Sequence, residues 1–241
     1  MFSNCKLGLR PPDPVRLSKC VGLSSGLTPE LDALFSDIPC DWAKGRDWDG
    51  DQLDNDVWGD CGPASLCNWL KFMAAELGIP LQIDANTALG LYRALGWDGT
   101  FQNDNGVVML DMLNYCMMQP TAGVQLDGFV SVPCSNHTDV CTAVSVYGPL
   151  LVGLSLTKAC QKTDLWDIDA ANDKETWGNH AVVLFSTSPG LYRAKSWGRP
   201  VDVTPEFLAA RGNEAYLPLA KQFHSHLGIS WDRLTKICKE I

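Results

Sequence analysis

The stretch Asn55-Asp56-Val57-Trp58-Gly59-Asp60-Cys61-Gly62-Pro63-Ala64-Ser65 decides the reading of this chain. It places a cysteine where an amphipathic helix begins. Leu66, Trp69, Leu70, Met73, Ala74 and Leu77 follow at three-and-four spacing, and Gly78 with Pro80 beyond it ends the pattern. A thiol at a helix start meets the positive end of the helix dipole, which favours thiolate, so Cys61 reads as a pre-activated nucleophile. The partner such a thiol needs lies far along the chain. Gly178-Asn179-His180-Ala181-Val182-Val183-Leu184 carries a histidine into a buried strand, and Lys195-Ser196-Trp197-Gly198 follows it. A histidine held this way reads as a base, and nucleophile and base so far apart in sequence meet only in the fold.

Outward from these two segments, helices come first and strands later. Asp84 caps a second helix, Ala85 to Leu95, ended by Gly96. A third runs from about Gly106 to Met118, with Val107, Leu110 and Leu113 inward, and a fourth from about Thr138 to Tyr147. Then Leu150 to Leu156 reads as a buried strand and Ala181 to Phe185 as another. Leu191 to Ser196 pairs back as a hairpin through Ser188-Pro189-Gly190. Thr204-Pro205-Glu206 starts a short helix. Glu214 to Leu219 is a further strand, whose Pro218 suggests an edge or a strand end. This order predicts an α+β fold, an N-terminal helical part packed on a C-terminal antiparallel sheet.

Three regions follow. Residues 1–50 form a Pro- and Asp-rich N-terminal arm whose sparse apolar residues (Leu7, Leu9, Val15, Leu17, Val21, Leu23) make no core of their own and lie extended across the body. Thr28-Pro29-Glu30 starts a turn of helix within it. Residues 51–220 form the main domain. Residues 221–241 form a helical tail, with Ser230 capping a helix from Trp231 to Lys239. The acidic run from Asp49 to Asp56 lacks the spacing and final Glu of a calcium loop and reads as solvated.

The totals exclude several classes. With 241 residues, 46% of them hydrophobic and 20% charged, the chain is an ordinary globular protein with a sizeable core. A net charge of -9 argues against nucleic acid and against anionic membrane surfaces. No apolar run approaches the roughly 18 residues of a membrane span. The Pro-rich start is no secretory signal, so the expectation is a protein that is cytoplasmic when made and can be incorporated in a virion. There are 10 cysteines and no C-x-x-C pair, which disfavours structural zinc and makes reduced thiols the default. Cys67, Cys116 and Cys141 read as small buried hydrophobes. His137, His224 and His226 read as surface or loop residues, and His224-Ser225-His226 supplies too few ligands for a metal. No phosphate-binding glycine loop appears, so neither cofactor nor metal is expected.

The Gly-Asp-Cys helix start, the His-Ala-Val strand and the Ser-Trp-Gly after it resemble the papain-like cysteine peptidase superfamily, over roughly Asn55 to Leu219. The local motifs are similar to those of its papain and bacteriocin-processing branches. The whole chain resembles a group of phage and prophage proteins that share the Pro-rich arm, the helix Val108 to Tyr115 and the Glu-Ala-Tyr strand.

The resemblance implies that Cys61 attacks an acyl carbonyl as thiolate and that His180 is its general base and acid. It implies that Trp197 shields His180 from water and that the Cys61 backbone N–H supplies half of an oxyanion hole. Two positions depart from the pattern. Asn55 stands where papain has the Gln that completes that hole. Lys195 stands where papain has the Asn that orients the histidine, and a lysine accepts no hydrogen bond. Ser196, Asp202 or a backbone carbonyl is left to orient His180. Trp58, beside the nucleophile, is a candidate cleft wall.

The expected activity is therefore a thiol hydrolase, a cysteine peptidase or an amidase of peptide or peptidoglycan cross-links. An acyl-transfer relative using the same dyad is a second reading. A third is a papain-like fold with a degraded site, acting as a structural or interaction protein such as a phage virion or tail component. Under that reading the arm binds other virion proteins or a second copy of the chain.

Overall fold

The computed structural model describes residues 2, 5–20, 39–44, 50–225 and 227. The expected helices near Thr28 and from Trp231 to Lys239 lie outside these residues. The arm contributes a short helix α1 (Pro14–Leu17), capped by the Asp13 carboxylate, and a two-residue strand β1 (Cys40–Asp41). The helical part is α2 (Cys61–Leu77), α3 (Ala85–Ala94) and α4 (Met109–Met118). Gly78 closes α2 in the left-handed conformation at φ 65°, a backbone state that suits glycine. Asp84 and Thr87 form a reciprocal capping box on α3.

The later half alternates strands with short helices. β2 (Gly128–Ser131) leads to α5 (His137–Thr142), which runs on as a π-helical turn from Ala143 to Tyr147. Then come β3 (Leu150–Thr157), β4 (Leu165–Trp166) and α6 (Ile168–Asn172). They are followed by β5 (Thr176–Ser188), β6 (Leu191–Ser196) and β7 (Arg199–Val203). The described chain ends with α7 (Pro205–Arg211), β8 (Gly212–Leu219) and α8 (Lys221–His224). The strands form one sheet in the order β2-β8-β3-β5-β6-β7-β4, with β1 added on β5. All pairings are antiparallel except β4 with β7.

Three expectations are corrected. α4 begins at Met109 rather than near Gly106, because Gly106 takes φ 71° and Val107 is spent on pairing with the arm. Of the two readings of Pro218 the edge fails and the strand end holds: β8 is interior, and Pro218 lies one residue before its last, Leu219. Pro218 is tolerated because β3 pairs only as far as Tyr216, leaving Pro218 with β2 alone beside it. The acidic run is not wholly solvated: Leu53 and Asn55 are buried, and the Gly50 N–H donates to the Gly198 carbonyl at 2.7 Å.

One core joins the two halves. The apolar face of α2 (Leu66, Trp69, Leu70, Met73) packs on the inward residues of β3 and β5. The fully buried Trp69, Phe72 and Trp166 carry much of the apolar area. Each such side chain contributes about 1.5–3 kcal/mol from burial. This packing fixes the start of α2 against the middle of β5, where the Cys61 sulfur meets the Ala181 N–H.

Candidate active site

Cys61 opens α2 and is fully buried. Its Sγ accepts a hydrogen bond from the Ala181 N–H at 3.4 Å, a contact across 120 positions of sequence. The N–H groups of Gly8 and Gly62 also face the sulfur and favour its thiolate. Burial outweighs them and, with buried Asp60 adding to the rise, pushes the thiol up to about 12. The expectation of a dipole-activated thiolate is thus overturned for this conformation, since desolvation of the charge exceeds what the helix end supplies.

His180 sits one residue before that N–H on β5 and is also fully buried. Its ring stacks on Trp197 with centroids 3.8 Å apart and planes 11° apart. Nε2 lies 3.0 Å from the Ser196 hydroxyl, while Nδ1 has no hydrogen-bond partner. Burial lowers the imidazole to about 3, so the ring is neutral and no imidazolium–thiolate pair exists here. Of the groups left to orient His180, Ser196 is the one in contact. Asp202 is bound to Arg193 at 2.9 Å instead, and Lys195 is buried in β6 opposite Val183.

Trp197 takes φ 45° and Gly198 φ 78°, the turn that lays the indole over the imidazole. A Cβ on Gly198 would come 2.8 Å from the Gln52 side chain. The loop before the nucleophile and the turn after Ser196 are therefore fitted to each other.

Asn55 is buried. Its Nδ2 lies 3.2 Å from Asp60 Oδ1 and 3.4 Å from the Trp58 carbonyl oxygen, so its donors are taken within its own loop. The other Asp60 oxygen is unpartnered, and burial raises that carboxyl to about 8. Trp58 stacks on exposed Phe101 at 4.2 Å and tilts against Trp97 at 4.7 Å, an aromatic ledge next to the nucleophile loop.

Sequence reasoning missed what covers the thiol. Residues 6–10 of the arm run through the cleft as an extended peptide. The Lys6 carbonyl accepts from the Trp197 indole at 3.1 Å. The Gly8 carbonyl accepts from the Val107 N–H at 2.8 Å, and the Arg10 N–H donates to the Val107 carbonyl at 2.7 Å. The Leu9 N–H lies 3.4 Å from the Asn179 carbonyl on the other wall. The segment is anchored by Lys6 Nζ, 3.1 Å from Asp104, and by Arg10 Nε on the Asn105 and Gly106 carbonyls. Buried Asp104 in turn accepts from the Gly59 N–H at 2.9 Å and the Tyr92 hydroxyl at 2.8 Å. Gly8, between the alternating apolar Leu7 and Leu9, was the only local sign of a segment that must pass through a tight place.

Among the described residues no group of three or more His, Cys, Asp and Glu side chains is placed to hold a metal ion, and none of the nine described cysteines is in a disulfide. His224 corrects an expectation. It is buried rather than at the surface, its Nδ1 lying 2.9 Å from the Ala220 carbonyl one helical turn back.

A helix-borne cysteine, a strand-borne histidine stacked under a tryptophan and a cleft between helices and sheet define the papain-like fold. Comparison with solved structures bears this out. Xylellain, a cysteine protease from Xylella fastidiosa, superposes with a TM-score of 0.66 at 12% identity, over 90% of this chain and 96% of that one. The cysteine protease CMS1MS2 of Carica candamarcensis gives 0.54 at 14%, over 75% and 97%. Digestive procathepsin L 3 of the Tenebrio molitor larval midgut gives 0.56 at 14%, over 90% and 77%. Identities this low establish the fold alone. No known family model matches the sequence, and no curated protein sequence does.

Proposed function

We propose that the protein is a papain-like thiol hydrolase of peptides, a cysteine peptidase or peptide amidase, and that the conformation described is its closed form. The observation that carries this reading is the arm itself. An extended peptide lies on the Cys61 thiol with its main chain hydrogen-bonded to Val107 on one wall and Asn179 on the other. A groove that pairs the backbone of an extended strand is built to hold a peptide. The shared fold with cysteine proteases supports the same class of chemistry.

With the arm out of the cleft, water reaches the site and the two desolvation shifts relax, Cys61 downward and His180 upward. Proton transfer from thiol to imidazole then gives the nucleophile. The thiolate attacks the acyl carbon and the Cys61 N–H bonds the developing oxyanion. His180, held by Ser196 and Trp197, returns the proton to the leaving nitrogen. Water then hydrolyses the thioester, with His180 taking its proton.

The burial of both Cys61 and His180 favours a second reading, in which the covered cleft is kept for its shape and the protein is a structural or interaction component, of a virion for instance. Asn55 and Lys195 support it too. Alkylation of Cys61 by iodoacetamide against pH separates the two, using a variant whose arm is displaced and the same variant with His180→Ala. A hydrolase gives fast labelling that depends on His180. A cleft kept for its shape gives slow labelling in both.

A further inference from the structure

Asp60 is a buried group that the mechanism leaves unused. It stands at the N-cap of α2, directly before the nucleophile, and is fully buried. An aspartate at that position ordinarily accepts from the free N–H groups of the first helical turn. This one makes no such bond. Its carboxyl is turned back to the preceding loop, where Oδ1 accepts from Asn55 Nδ2 at 3.2 Å. The other oxygen, Oδ2, has no partner.

Protonation distinguishes the two oxygens. Burial, with Asp54 and Asp104 adding to the rise, pushes the carboxyl up to about 8, so its neutral form prevails at neutral pH. A neutral carboxyl has one carbonyl oxygen and one hydroxyl. Oδ1 takes the Asn55 N–H and is the carbonyl, which makes Oδ2 the hydroxyl, a buried donor with no acceptor. Such a donor is a cost with no structural return, unless the reaction supplies the acceptor. Attack by Cys61 does supply one, an oxyanion at the Cys61 N–H, on the residue that follows Asp60. Asn55 is not free to meet it, since its Nδ2 is spent on Asp60 and on the Trp58 carbonyl. The Asp60 hydroxyl is unspent.

We propose that the Asp60 hydroxyl is the second oxyanion donor of this site, in place of the amide that the family pattern puts at residue 55. The inference rests on the hydrolase reading above and adds a catalytic residue to it. The Cys61 N–H and the Asp60 Oδ2–H hold the oxyanion together, while Asn55 keeps the carboxyl turned. The proton stays on Asp60 throughout, since a carboxylic acid kept neutral by its apolar setting serves as a hydrogen-bond donor. Ionisation of Asp60 would replace that donor with a second negative charge. The titratable groups that face it are Asp54 of its own loop, Asp104 of the loop before α4, and the Cys61 and Cys67 thiols of α2.

The test compares two reactions of the Cys61 thiolate, on the full chain carrying Gly8→Ala to displace the arm. With p-nitrophenyl acetate the thiolate attacks the acyl carbon and the carbonyl oxygen becomes an oxyanion. p-Nitrophenolate then leaves and Cys61 is acetylated. With iodoacetamide the thiolate displaces iodide from a methylene carbon and no oxyanion forms. Cys61→Ala gives the background from the other thiols in each reaction. The ratio of acetylation to alkylation cancels the thiolate population and reads the oxyanion. It should fall about 100-fold in Asp60→Ala. In Asp60→Asn, whose amide is a weaker donor, it should fall about tenfold. In the parent it should drop as the pH rises through about 8, and in Asp60→Asn it should stay level. A ratio unchanged in Asp60→Ala, as a purely structural role requires, or a parent ratio that stays level through that pH, would overturn the proposal. Should Asp60→Ala not fold, the pH profile of the isosteric Asp60→Asn decides alone. If alkylation of Cys61 is indifferent to His180→Ala, the hydrolase reading fails and the proposal with it. A His180-dependent thiol whose ratio ignores Asp60 sinks only the proposal.

Discussion

Gly8 of the arm lies against Gly59 so closely that a Cβ on Gly8 would stand 1.9 Å from the Gly59 carbonyl oxygen. On the opposite side, a Cβ on Gly106 would stand 1.8 Å from the Gly8 carbonyl oxygen. Backbone against backbone has no rotamer through which to yield. Gly8→Ala should therefore drive residues 6–10 out of the cleft. Misfit of this kind costs about 1–3 kcal/mol, enough to populate the open form roughly 5- to 150-fold more. Cys61 should alkylate faster by a factor in that range, and limited proteolysis should cut the arm near Lys6 or Arg10. Unchanged labelling would mean that the arm does not control access to the thiol.

Lys6 reaches Asp104 from a half-exposed position, whereas Asp104 is fully buried and keeps its bonds from Gly59 and Tyr92 when Lys6 is lost. The exposed partner limits the strength of the pair to about 1 kcal/mol. Lys6→Ala should raise the Cys61 labelling rate about fivefold. Salt should do the same to the wild type and leave Lys6→Ala indifferent, because screening removes only what the mutation has already removed. Labelling at low salt and near 1 M salt, in both proteins, checks this.

Much of the frame was readable because its signals are local. Asp84 with Thr87, Gly78 after Leu77 and Gly190 in the hairpin each act within a turn of chain, and α2, α3 and the β5–β6 hairpin fall where those residues put them. Position in the sheet was less legible. Gly128–Ser131 and Arg199–Val203 carry too few apolar residues to read as strands, and Pro218 marked the end of β8 without telling that the strand is interior. The site divides in the same way. Cys61, His180 and Trp197 read as motifs; the structure stacks Trp197 on His180 and sets the Cys61 sulfur against the N–H of Ala181, the next residue of β5. Their electrostatic state was not legible, because the local helix end argues for thiolate while a segment more than fifty residues upstream removes the water. Asp104 carried no motif and matters only through the Gly59, Tyr92 and Lys6 groups that the fold sets beside it.

Acid and base should destabilise the protein through different residues. The His180 imidazole is lowered to about 3 from an unfolded 6.5. The unfolded chain therefore takes up a proton that the folded one refuses. This contribution to stability is complete above pH 6.5 and is lost as the pH falls from there towards 3, on the order of a few kcal/mol. Asp60 is raised to about 8 from 3.8, and its contribution runs the other way, complete below pH 4 and lost as the pH rises to 8. In urea titrations across pH 3.5–8.5, His180→Asn should flatten the acid limb and Asp60→Asn the neutral-to-alkaline limb. Parallel curves for wild type and both variants would show that neither group titrates as its burial demands.

Ser196 is the side chain that hydrogen-bonds the His180 ring, at 3.0 Å from Nε2, while Trp197 holds the ring by its face. Ser196→Ala leaves a second buried ring nitrogen unpartnered beside Nδ1, at a cost of about 1–3 kcal/mol in stability. Its effect on chemistry separates an orienting role from mere packing. In the Gly8→Ala background the imidazole must turn the correct nitrogen to the thiol, and without Ser196 both tautomers and both ring flips become available. Labelling of Cys61 should then slow by about tenfold at neutral pH, with its apparent pKa moving up towards the free-thiol value of about 8.5. Ser196→Thr, which keeps the hydroxyl, should restore both rate and pKa. A loss of stability with no change in the labelling profile would assign Ser196 to the core and leave His180 oriented by Trp197 alone.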